Sequence, residues 1–90
     1  MVPENRIPTH PGEILLEEFL KPLGITQLAL ARHLQVPLQR INEIIRGKRG
    51  VTPETAWRLA QALGTTPELW INLQRNYDLA KNRPKTAIFA

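Results

Sequence analysis

The sequence predicts an all-α domain, a bundle of five helices. Three observations carry that expectation. Apolar residues recur at helical spacing in five separate stretches, Thr-Pro-Glu occurs twice as a helix start, and Gly24, Gly47 and Gly64 stand where three of the stretches end.

The elements follow in order. His10-Pro11-Gly12-Glu13 opens the first helix, with Pro and Glu correctly placed although the cap is weaker than the others. Leu15, Leu16, Phe19, Leu20 and Leu23 form its apolar stripe, with Glu13, Glu17 and Glu18 on the other side. Thr26 caps a second helix that carries Leu30, Ala31 and Leu34, and a third carries Ile41, Ile44 and Ile45. Thr52-Pro53-Glu54 and Thr66-Pro67-Glu68 start the last two, each Thr cap worth about 1 kcal/mol and each Glu suited to the positive end of the helix dipole. The fourth buries Ala56, Leu59, Ala60 and Leu63; the fifth carries Leu69, Trp70, Leu73 and Tyr77. Residues 1–9 read as an N-terminal arm, 10–82 as one domain with its last helix over 66–82, and 83–90 as a tail. The tail's Thr86-Ala87-Ile88-Phe89 suits either a short strand or a frayed end.

Ninety residues, 42% of them apolar and 22% charged, fit one small globular domain. No cysteine is present, which excludes a disulfide scaffold, a thiolate metal site and a Cys nucleophile. There is no serine either, no glycine-rich phosphate loop and no His-Glu-x-x-His. His10 and His33 lack the neighbours that would make a ligand cluster, so no metal and no cofactor is expected. Glu17 and Glu18 are adjacent on a helix, point about 100° apart and do not converge as an acid/base pair. A binder is expected, not an enzyme. The longest apolar run is four residues, too short to cross a membrane, and no signal peptide is visible; the expected location is the cytoplasm.

The net charge of +4 is unevenly placed. Residues 1–20 carry one Arg against four Glu, whereas residues 21–50 carry six Lys and Arg against one Glu. Either the small basic chain scatters its charges at random or two surfaces serve two partners.

The segment 26–47 favours two surfaces. A short helix from Gln27 is followed by a tight turn and a second short helix. Ala31 is small enough for close crossing, Val36 plugs the turn, and Ile41 and Ile44 face inward. With Ile41 inward, Gln39 lies about 160° and Glu43 about 200° around the helix. Arg46 falls on the same outer side, flanked by Arg40 and Asn42. Amide, carboxylate and guanidinium groups on one exposed face can read base edges and grip phosphates. Lys48 and Arg49, just beyond, suit phosphate contact.

This segment resembles the helix-turn-helix of the Cro/phage-repressor (XRE) superfamily, which implies a five-helix bundle of the phage-repressor (lambda repressor-like) type. The resemblance implies that Gln27 touches a backbone phosphate and braces the recognition helix. It also implies that Leu38, Gln39 and Glu43 hold the main base-reading positions, with Arg46 near a phosphate. Two positions depart from the family. Gln35 stands where Gly is usual, at a cost of about 1 kcal/mol if φ is positive. Leu38 replaces a polar residue, and a thymine methyl is its natural contact.

Four further blocks extend the likeness along nearly the whole chain. They are His10 to Leu15 through Glu18, Arg40 to Ile44, Gly47-Lys48-Arg49, and Pro67 to Gln74 through Tyr77-Asp78-Leu79. In this order and spacing they resemble the HigA (VapI-like) antitoxins. The resemblance implies a homodimer that neutralises a small basic HigB-like ribonuclease toxin and represses its own operon on double-stranded DNA. A free-standing XRE-type transcriptional regulator without a toxin is the alternative. Glu13, Glu17 and Glu18 are the expected toxin-binding face, if they are not simply a solvated acidic surface. Trp70, Leu73 and Tyr77 are the expected dimer interface on the last helix, over a palindromic operator. The competing reading is that Trp70 and Tyr77 complete the monomer core.

Overall fold

The structure is a computed structural model and describes residues 8–84. Among the described residues the chain forms five helices. The first, α1, runs continuously over residues 11–23; then come α2 (Gln27–Leu34), α3 (Leu38–Ile45), α4 (Pro53–Leu63) and α5 (Pro67–Lys81). The expected all-α bundle is what the chain adopts. The segment Thr86–Phe89 lies outside the described residues.

Side chains start four of the helices. Thr26, Thr52 and Thr66 each accept a hydrogen bond from the backbone N–H three residues on, at 3.0, 3.3 and 3.2 Å. His10 caps α1 through Nδ1, which accepts from the Gly12 N–H at 2.9 Å. That acceptor role requires a neutral ring, and burial lowers the His10 pKa, against the raising effect of Asp78 and with the help of Lys81. The imidazole edge packs on Tyr77 of α5 with ring centroids 4.8 Å apart. Gly24 and Gly64, in the left-handed region, stop α1 and α4.

Helix α1 departs from the expected α winding. Leu15–Leu20 is wound as a π-helix, in which the Lys21 N–H reaches back to the Leu16 carbonyl. The two residues it buries fully are accordingly Leu15 and Leu20, five apart. Leu23, expected on the same stripe, is 60% exposed at the end of the helix, just before Gly24.

The core gathers Leu15 and Leu20 of α1, Leu30, Ala31 and Leu34 of α2, Ile41 and Ile44 of α3, Val51, Ala56 and Leu59 around α4, and Trp70 of α5. Trp70 is wholly buried. Its indole tilts against Phe19 at 5.5 Å, and its Nε1–H donates to the Thr65 hydroxyl at 2.8 Å. At the other end of α1, Gly12 lies against the end of α3. A Cβ there would sit 2.6 Å from the Ile44 carbonyl carbon and 2.8 Å from the Ile45 Cα. Only a glycine allows that approach.

The turn between α2 and α3 holds the departure noted at Gln35. Its backbone is left-handed, with φ 60° and ψ 43°, the one non-glycine residue at positive φ among those described. Gln35→Gly is therefore expected to stabilise the domain by about 1 kcal/mol. Urea unfolding checks this; a lower midpoint would mean that the Gln35 side chain holds the turn more strongly than the strain opposes it.

Candidate nucleic-acid interface

The buried pair Ile41 and Ile44 fixes α3 with its opposite side outward. Leu38 and Gln39 at its start are exposed, Arg40, Asn42 and Glu43 are half-covered, and Arg46 is exposed just past its end. Lys48 and Arg49 extend the same surface. The nine residues singled out as DNA contacts thus fall on or beside one helix, with Gln27 reaching it from the start of α2.

Three hydrogen-bonded ties hold this surface. The Gln27 amide oxygen accepts from Asn42 Nδ2 at 3.2 Å, which links the two helices across their crossing. Glu43 is the hub of the second. Its Oε1 accepts from both Nε and Nη2 of Arg49 at 2.9 Å, and Oε2 takes a longer bond of 3.4 Å from the Gln39 amide. The Glu43 backbone carbonyl also accepts from the N–H groups of Lys48 and Arg49, at 2.8 and 3.2 Å. A carboxylate here would otherwise repel phosphates, so its pairing with Arg49 keeps the face basic. The third tie lies behind the loop. Gln74 of α5 accepts from the Val51 N–H at 2.8 Å and donates to Asp78 at 3.0 Å, pinning the segment that carries Lys48 and Arg49.

Two supports, one of these ties and one further bond, escape the sequence. Gln74 closes the Pro67–Gln74 block singled out in the sequence, but nothing in its spacing marks it as a loop anchor. Arg58 is the other: its guanidinium donates to the Leu34 carbonyl at 2.6 Å and closes the end of α2. The only signal is a cation on α4 amid apolar neighbours.

The acidic face is present on α1, and Glu13, Glu17 and Glu18 are all exposed. Glu17 pairs with Lys21 at 2.7 Å, an exposed contact of little energetic weight.

The expected dimer stripe needs correction at Trp70. Its side chain has no exposed area, so none is left for a second subunit. Leu73 packs against the core and Tyr77 against His10, both partly buried within their own chain. The domain's own core claims Trp70, while Leu73 and Tyr77 keep part of their surface exposed. The exposed tryptophan is Trp57 of α4, at 58%.

A braced helix joined by a tight turn to the helix before it, its outer side polar and basic, defines a helix-turn-helix protein. The helix-turn-helix family matches residues 16–70. Virulence-associated protein I of Dichelobacter nodosus is 51% identical over 77 residues, covering 84% of this chain and 71% of that protein. Among solved structures, the Pseudomonas aeruginosa antitoxin HigA with the higBA promoter is 44% identical, with a TM-score of 0.80 over 82% of this chain and 80% of the other. The antitoxin GraA in complex with its operator is 46% identical, with a TM-score of 0.80 over 90% and 82%. The chain belongs to the helix-turn-helix family, in its HigA (VapI-like) branch.

Proposed function

We propose that this chain is the antitoxin of a type II toxin–antitoxin module. It binds and neutralises a HigB-like ribonuclease toxin and, as a homodimer on a palindromic operator, represses its own operon. It carries out no catalysis of its own and works in the cytoplasm; no helix among the described residues is long and apolar enough to cross a membrane. The observation that carries the reading is the outer face of α3, basic, exposed and braced by the Gln27–Asn42 bond, in a chain 46% identical to an antitoxin solved on its operator.

Within that reading Leu38, Gln39, Asn42 and Glu43 face the bases. Gln27, Arg40, Arg46, Lys48 and Arg49 face the phosphates. Gln39→Ala is expected to cost about 1–3 kcal/mol of discrimination at one base pair, while Lys48→Ala weakens all sequences alike and lowers the salt slope by about one. Gel shifts on operator and random DNA decide it; identical behaviour of the two variants on both would sink the assignment.

The toxin is taken by the α1 face bearing Glu13, Glu17 and Glu18. A ribonuclease surface is basic because it must attract RNA, and an acidic helix steers and occupies it. Joint reversal, Glu17→Lys with Glu18→Lys, should slow association with the toxin at low salt. An unchanged association rate in stopped flow would refute this docking face.

A further inference from the structure

The helix α3 is held unevenly along its length. Its far end, at Ile44 and Ile45, lies against Gly12 of α1, and Asn42 in its middle bonds Gln27. Its start has no side-chain cap; Pro37 holds the cap position and has no N–H to give. Leu38 and Gln39, the first residues after it, are where a helix-turn-helix protein meets base edges. Their placement therefore depends on the turn Gln35-Val36-Pro37, whose first residue is in the strained left-handed region.

Strain of that kind persists only where the surroundings overdetermine it. The turn folds back on α2 through its own backbone. The Gln35 N–H donates to the Arg32 carbonyl at 3.2 Å and the Val36 N–H to the Ala31 carbonyl at 3.0 Å, while the Val36 side chain packs on the core. The carbonyl of Leu34 is taken from another helix. Arg58 of α4 donates to it through Nη1 at 2.6 Å. The guanidinium suits this place: its Nε is shut off from solvent, 3.7 Å from Glu54 one turn back, and its charge stands at the negative end of the α2 dipole. A bond this short fixes the peptide between Leu34 and Gln35, on which the left-handed residue turns.

We propose that Arg58 is a positioning residue for DNA reading. By holding the Leu34–Gln35 peptide it sets the angle at which α3 leaves the turn, and so the register of Leu38 and Gln39 on the bases. It acts through the turn, not by contact with DNA. The proposal rests on the DNA reading above and adds to it a residue outside the helix-turn-helix itself.

Arg58→Met tests it on the full chain, because methionine keeps most of the stem and removes the donor. The probes are a duplex selected by the parent from a randomised library and a random duplex of equal length. Both are titrated at low temperature, with the folded fraction read by circular dichroism. The ratio of the two affinities should fall about tenfold. Affinity for the random duplex and its salt slope should stay at the parent's values, since phosphate contacts carry no sequence information. Gln35→Gly removes the strain that Arg58 holds. Arg58→Met with Gln35→Gly should therefore recover the ratio to within about threefold of Gln35→Gly alone. A bond that only stabilised the fold would move neither ratio. An unchanged ratio in Arg58→Met, an equal loss on both duplexes, a double variant no better than Arg58→Met, or an Arg58→Met chain that does not fold would each overturn the proposal. A parent with no preference for any selected duplex brings down the DNA reading itself, and the proposal with it.

Discussion

Gly12→Ala is expected to destabilise the domain by more than about 3 kcal/mol, the upper range for overpacking a site that cannot yield. The added methyl would collide with the backbone of Ile44 and Ile45, not with a flexible side chain. Relief requires α1 to lift from the end of α3, and that breaks the seat of Leu15 in the core. The thermal midpoint should fall by more than about 12 °C. Operator binding should fall with it, since α3 loses the element that backs its C-terminal end. A midpoint within a few degrees of the parent's would mean that α1 has slack which the structure does not give it.

Trp70→Ala is the second large effect, at about 3–5 kcal/mol. The loss combines a wide cavity next to Phe19 with a Thr65 hydroxyl deprived of its indole donor. The form of the failure matters as much as its size. A core residue takes tertiary order with it, so near-ultraviolet circular dichroism should collapse at a denaturant concentration at which the parent stays folded. An interface residue would instead yield a folded monomer of undiminished stability. Recovery of a native-like monomer would return Trp70 to the subunit interface.

Much of the fold is legible in the sequence, because it is written in local rules. The three Thr caps and the glycine stops lie where residue type alone places them, and Gln35 is flagged by its departure from a family glycine. The π segment is not legible. Leu15, Leu16, Phe19 and Leu20 satisfy an α-helical stripe as well as a π one, and only packing against the other helices chooses between them. Trp70 shows the opposite difficulty. Its periodicity correctly says that it faces apolar surroundings, but periodicity does not say whose. Trp57 sits about 100° from Ala56, off the stripe that Ala56, Leu59 and Ala60 define, and that angle already points it outward.

The reading face divides in the same way. Helical phase from Ile41 puts Gln39 and Glu43 outside, as found. Phase says nothing of Arg49 folding back on Glu43, of Gln74 holding Val51, or of Arg58 closing α2. Those bonds join residues 6, 23 and 24 positions apart, and no periodic pattern encodes them.

The order in which the helices pack carries a consequence for time. Contact is heaviest between chain neighbours, α2 with α3 and α4 with α5, and lighter where α1 meets α3 and α5. Loops this short close at little entropic cost, so refolding belongs in the microsecond-to-millisecond range of helical domains. During synthesis, at about 5–20 residues per second, the α2–α3 pair is complete before α5 has been made. The pair that carries the candidate DNA-reading face is thus synthesised ahead of α5.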